Sequence, residues 1–204
     1  MLNKNISLNG KLVTMRGINE SDFEKIIVWR NDPEINRYLN QPYKLTYEMQ
    51  TKWYNEKYIT TDDILFVFIE NSSGRQLGTI GVSNIHYDFR RAIAGRLVIG
   101  EKEYRASPEL LEGNLLFYDF LFYILGLQKV YCHIVKENRK AIALDVRLGF
   151  HPNTGKVVYP QYCYVNNEEL LEMINTRQSY EESKEKLRPM LSHFICQKLK
   201  SGKG

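Results

Sequence analysis

The 204-residue chain reads as an α+β protein. Three stretches carry that reading. Residues 94–150 run strand, polar turn, helix, strand, helix; residues 65–85 contain two apolar strands joined by a turn; and residues 178–200 place Leu187, Met190, Leu191, Phe194, Ile195 and Leu199 at helical spacing, with Pro189 inside the run.

Each element has a local reason. Residues 12–16 alternate as a strand, and Asn19 to Asp22 open a helix carrying Phe23, Ile26, Ile27 and Arg30 at helical spacing. Pro33 stops that helix, with Asp32 as the next cap. A third helix is predicted over 46–58, with Trp53, Tyr54 and Tyr58 as its aromatic surface. Strands at 65–70 and 78–85 meet through Asn71, Ser72, Ser73, Gly74 and Arg75, a strong hairpin signal. After a turn at 88–91, the strand Gly95-Arg96-Leu97-Val98-Ile99-Gly100 follows. Ser107 then caps a helix with Pro108 in its first position, where a missing N–H costs nothing. Residues 129–135 are β-branched and aromatic, and Asn138 caps a short helix whose apolar face is Ala141, Ile142, Leu144 and Leu148. Gly149 ends that helix, where glycine tolerates positive φ.

Composition bounds the function. The length suits one domain that buries roughly 70% of its unfolded surface. The net charge of +4 is mild, which argues against nucleic acid as a partner. Met1 to Asn5 lack an apolar signal core, and the longest apolar run, 115–127, is broken by Asp119, so a cytoplasmic protein without a membrane span is expected. Cys132, Cys163 and Cys196 are odd in number and far apart, which argues against disulfides and against a metal site.

The string from Asn138 to Phe150, with Ala141, Leu144 and Gly149 in register, resembles the second signature helix of the GNAT acyl-CoA N-acyltransferases. Trp29-Arg30-Asn31-Asp32-Pro33 looks like the turn of the branches that acetylate nucleotide-linked amino sugars and ribosomal-protein N-termini. The resemblance covers about residues 10–175. It implies the GNAT fold over 1–176, a mixed, mostly antiparallel sheet of about six to seven strands with helices on both faces; the helical run in residues 177–204 extends beyond the usual family end as an extra C-terminal helix that either packs on the domain or docks a second subunit of a homodimer. After Phe150 it calls for two more strands. Residues 157–165 are the candidate for one, Asn166-Asn167 for the turn, and 169–174 for the other, although the last segment also has helix propensity.

The resemblance further implies acetyl-CoA as co-substrate, held by Leu97, Val98 and Ile99 in the manner of an added strand, by Arg105, Ala106 and Ser107 at the pyrophosphate, and by Asn138 and Lys140. The acceptor it implies is a small-molecule amine, with Trp29, Arg30, Asn31, Trp53 and His86 as its expected binding residues and a nucleotide-linked amino sugar as the expected class. Protein N-termini, aminoglycosides, and a binding module without turnover stay open as alternatives. Asp145, His86 and Tyr131 are the candidate catalytic groups. Three departures stand out: Arg105-Ala106-Ser107-Pro108-Glu109-Leu110 lacks the family's phosphate-loop glycines and brings a carboxylate expected to repel phosphate; Asp145 replaces the family's tyrosine; and Ile93 replaces a glutamate.

Overall fold

The computed structural model describes residues 2–39, 41–165 and 168–201. Its strands are β1 (Ser7–Asn9), β2 (Val13–Gly17), β3 (Ile64–Glu70), β4 (Gln76–His86), β5 (Arg91–Ile99), β6 (Lys129–Val135), β7 (His151–Pro152), β8 (Tyr164–Val165) and β9 (Glu168–Thr176). They form one sheet in the order β1-β2-β3-β4-β5-β6-β9-β7, with β8 on β9. Every pairing is antiparallel except β5 with β6. The strand count exceeds the expected six to seven because β1, β7 and β8 are only two or three residues long, too short to show a period.

The period-two alternation of β3 sorts two cores. Ile64, Phe66 and Phe68 join the cluster under α4 (Pro108–Asp119) and α6 (Arg177–Ser201), while Leu65 and Val67 pack with Ile18, Ile26 and Tyr58 under α1 (Phe23–Asn31) and α3 (Tyr47–Trp53). Helices therefore cover both faces. Caps fall where the side chains dictate: Asn19 forms a capping box with Asp22, Asp32 caps the short α2 (Pro33–Asn36), Thr46 caps α3, and Ser107 caps α4 ahead of Pro108. Both α3 and α4 run on into a π-turn, at Tyr54–Tyr58 and Phe120–Ile124. Asn138 caps α5 (Arg139–Arg147), and Gly149 has φ of 102°, with the Ser179 carbonyl oxygen only 2.5 Å from where a Cβ would sit. Along α6, Tyr180, Leu187, Leu191 and Ile195 are buried in the main core, and the Tyr180 hydroxyl donates to the Leu115 carbonyl at 2.9 Å.

One segment departs from expectation. Residues 157–159 are not a strand, because the N–H groups of Val158 and Tyr159 donate to the Glu172 carboxylate, each at 3.2 Å, and not to a neighbouring strand. The expected turn at Asn166-Asn167 lies outside the described residues. Residues 168–176 are strand despite their helix propensity, since β9 pairs along the whole of β6 and that ladder outweighs a few tenths of a kcal/mol per residue.

Candidate active site

The parallel ladder between β5 and β6 lasts three residues, from Arg91 opposite Lys129 to Ile93 opposite Tyr131. Beyond it the strands separate. On the other edge of β5 the register slips by one residue between the Gly81–Gly95 and Thr79–Val98 pairs, a bulge that leaves Arg96 at φ of 55°. The gap is a cleft of about 150 Å³ lined by residues 94–97 of one strand and 132–135 of the other. Through Tyr38, Leu39 and Leu97 it continues into a cavity of about 400 Å³, and at Arg96 it meets a second cavity of about 380 Å³. Both are of the size that small-molecule sites need.

Leu97, Val98 and Ile99 form one wall of the first cavity, and Arg37, Arg105, Arg139 and Lys140 gather at it with Asn138. The N-terminus of α4 offers little to a phosphate: Pro108 has no N–H, Leu110 donates to Ser107 Oγ at 3.2 Å, and Leu111 donates to the Ser107 carbonyl. The cations at this cavity are side chains, and Glu34 and Glu137 line it beside them. Arg105 is engaged by Glu34 at 2.6 Å, and Glu34 also meets Lys102 at 2.7 Å; those two partners hold its carboxyl down to about 2. Ala106 and Ser107 do not line the cavity. Glu109, expected to repel phosphate, is buried and pairs with Lys198 of α6.

In the central cleft, Asp145 accepts from Cys132 Sγ at 3.5 Å, and burial pushes its carboxyl up to about 7. Tyr118 lines the same wall, its hydroxyl held well above the usual range, chiefly by burial. His133 lines the cleft from β6 and meets Glu172 of β9 at 3.0 Å. The sequence reading missed His133, Glu172 and Arg96. Of its catalytic candidates only Asp145 reaches the cleft: Tyr131 packs against Ile93 and Tyr159, and His86 is exposed at the end of β4, its ring 6.3 Å from that of Tyr159.

The second cavity is lined by Arg30, Lys52, Lys57 and Arg96, with Tyr43 and Trp53 as aromatic walls, and no carboxylate is among its lining residues. Arg96 donates to Asp63 at 3.2 Å and lies over Trp53 at 5.3 Å, but its Nη1 is buried with no partner. Arg30 donates from Nε to Gln41 at 2.8 Å and meets no carboxylate among the described residues; burial, and then Arg96, lower its pKa. Trp29 is in the core against Gly100. Asn31 spends its amide on the Leu45 backbone, donating to the carbonyl and accepting from the N–H, both at 2.8 Å. Arg30 and Trp53 are thus the two predicted acceptor residues that share a cavity.

Residues 13–151 match the family model described as "Acetyltransferase (GNAT) domain". Among curated proteins, the chain is 28% identical over 144 residues to a spermidine N(1)-acetyltransferase of Vibrio cholerae serotype O1, covering 70% of this chain and 80% of that protein. A spermidine N(1)-acetyltransferase of Escherichia coli K12 is 27% identical over 139 residues, covering 68% and 72%. Among solved structures, apo FdhC, described as a nucleotide-linked sugar GNAT, superposes with a TM-score of 0.72 at 19% identity, covering 92% of this chain and 99% of that one. Spermidine N-acetyltransferase from V. cholerae in complex with CoA and spermine gives 0.68 at 24%, covering 84% and 99%. At these identities the superpositions show a shared fold. Among the described residues, no helix is long and apolar enough to cross a membrane.

Proposed function

This chain belongs to the GNAT acetyltransferase family, and from that premise we propose that its acceptor is an amine carrying negative charge, of the class of nucleotide-linked amino sugars. The enzyme is an acetyl-CoA-dependent N-acetyltransferase. One observation carries the proposal: the cavity that joins the central cleft at Arg96 holds a half-buried guanidinium, Arg30, with no carboxylate beside it among the described residues, and three further cations around it. Such a lining suits a diphosphate and repels a polyamine, while Tyr43 and Trp53 provide flat surfaces for a base. The curated relatives are named for spermidine, a polycation, so the two readings demand opposite electrostatics.

The cofactor side supports acetyl-CoA binding in the gap between β5 and β6. Residues 94–99 present a strand edge that the parallel ladder leaves beyond Ile93, and Arg37, Arg105, Arg139 and Lys140 supply charge for phosphates in place of the missing glycines. In this reading Asp145 delivers a proton to the departing sulfur from the α5 wall of the cleft.

The acceptor is tested by CoA release with UDP- and dTDP-linked amino sugars, spermidine and peptide N-termini. Turnover is expected with the sugar nucleotides, and Arg30→Gln should raise their KM by about 10-fold or more, the scale of a charge-assisted pair, with the KM for acetyl-CoA unchanged. Turnover with spermidine or peptides alone would overturn the assignment. On the cofactor side, Glu34 occupies Arg105 and Lys102, so Glu34→Gln should tighten CoA binding and Arg105→Ala should weaken it. Thermal shifts read both; a ligand at 100 times its dissociation constant stabilises by about 2.7 kcal/mol. Equal shifts in wild type and both variants would remove Arg105 from the phosphate site.

A further inference from the structure

Titratable groups line the central cleft from opposite sides of the sheet. Asp145 and Cys132 belong to the face under α4 and α5, whereas His133, one residue on, belongs with Tyr131 and Ile93 to the face that carries α1 and α3, the side of the Arg30 cavity. The antiparallel register of β6 and β9 sets His133 directly opposite Glu172, and the two side chains meet at 3.0 Å with each almost fully buried, 6% and 4% exposed.

Glu172 is a built anchor. Asn153 Nδ2 and the Val158 N–H donate to its Oε1, and the Tyr159 N–H donates to its Oε2, which His133 Nε2 also meets. Burial alone would raise its pKa, but these donors outweigh burial and hold it below the usual range, so Glu172 is a carboxylate at neutral pH. A carboxylate at Nε2 fixes the proton there and leaves Nδ1 as the imidazole's acceptor. The wider surroundings are the rings of Tyr159 and Tyr162, Cys163 close to both His133 and Glu172, Arg91 over Tyr159, Arg96 across the cleft and Asp145 beyond Cys132. Burial lowers the pKa of His133 and Glu172 opposes that, so the ring is neutral at pH 7. At the pairing where β5 and β6 part, Ile93 and Tyr131 have no group suited to accept a proton, and His133 is the next residue on that face.

We propose that His133 is the general base of the reaction and that Glu172 is its positioning residue. The proposal rests on acetyl transfer to an amine and not on which amine. An acceptor arriving as an ammonium gives one proton to His133, which later releases it to water. The freed nitrogen lone pair forms the C–N bond to the thioester carbon, and the C–S bond breaks with its electron pair on sulfur. Asp145 supplies the proton that sulfur takes, and the second proton shed by nitrogen restores it. Atoms and charge balance as ammonium plus thioester giving amide, thiol and one proton.

The test measures kcat/KM against pH with every acceptor that turns over, for wild type, His133→Gln, His133→Ala and Glu172→Gln. Expected is an acid limb in wild type, a fall of about 100-fold in His133→Gln with the limb gone, and partial rescue of His133→Ala by imidazole. Glu172→Gln should move the limb to lower pH, which a merely structural role would not do; because that variant loses a buried anchor, melting curves accompany it and the His133→Gln result stands without it. The acetyl-CoA thermal shift and acetyl-CoA KM should stay unchanged in His133→Gln. Retention of kcat/KM within threefold in folded His133→Gln, or an unmoved acid limb, overturns the proposal, as does a wild type that acetylates no amine. Turnover with spermidine instead of sugar nucleotides would refute the acceptor class while leaving the His133 result to be read on spermidine, so the two failures are distinguishable.

Discussion

Asp145→Ala is expected to lower kcat by about 100-fold or more while leaving the KM for acetyl-CoA near its wild-type value, because a positioned general acid acts on the leaving thiolate and not on cofactor binding. The side chain lines the cleft with Tyr118 and Cys132, and burial raises it to about 7, so that about half of the population is protonated at neutral pH. An ordinary carboxyl would be almost wholly ionised there and useless as a donor. Activity should therefore fall as pH rises through about 7, giving an alkaline limb that Asp145→Asn abolishes along with most turnover. Asp145→Tyr offers a phenol in place of the acid and should keep more activity than Asp145→Ala. An unchanged kcat in Asp145→Ala would leave Tyr118, on the same wall, as the donor.

The same shift makes a stability prediction of definite sign. The folded-state pKa is raised from 3.8, so the protonated form is favoured by folding: the contribution is fully present below about pH 4 and is lost as pH rises to about 7. A shift of that size corresponds to about 4 kcal/mol across the window. Wild type measured against Asp145→Asn should lose relative stability between about pH 4 and pH 7 and then run parallel to it. Parallel curves throughout would mean that Asp145 titrates as a solvated carboxyl. The alkaline limb of activity and the upper end of this window must then coincide, since one ionisation drives both.

What could be read from the sequence were features set by neighbours in the chain. The hairpin between β3 and β4, the Ser107-Pro108 helix start, β6, and the Asn138 to Gly149 helix each announce themselves by caps, turns and periodicity, and the structure places them there. The β5 strand was legible, but its bulge at Arg96 was not, because a non-glycine residue at positive φ carries no local signal. Arg30 and Trp53 were singled out on residue type, whereas the lack of a carboxylate near Arg30 is a tertiary fact. The His133–Glu172 pair spans 39 residues, and half of it lies on a segment whose propensity is helical, so only the β6–β9 register brings it together. Glu109 misled for the same reason: its position beside the phosphate turn suggested repulsion, yet its side chain is buried and answered by Lys198, 89 residues away. Local physics chose the elements, and the ladder and the helix docking chose which charges meet.

Glu112 shows the same rule with the largest structural consequence. It lies on α4, is 7% exposed, and its carboxylate accepts the N–H groups of Lys11, Leu12 and Val13 at 2.9, 2.7 and 3.0 Å. Those three donors lie in the turn from β1 and at the first residue of β2. Gly10 permits the approach, since a Cβ at that position would lie 2.4 Å from Glu112 Oε2. Removing the acceptor strands buried amides, at about 1–3 kcal/mol for each left unsatisfied. Glu112→Ala is therefore expected to destabilise the fold by roughly 3–5 kcal/mol, seen as a melting temperature lower by about 10 °C in a domain of this size. Glu112→Gln keeps one acceptor oxygen and should fall between the two, and Gly10→Ala should resemble Glu112→Ala because it displaces the same carboxylate. A Glu112→Ala protein that melts within about 2 °C of wild type would show that water reaches these amides and that the carboxylate is dispensable.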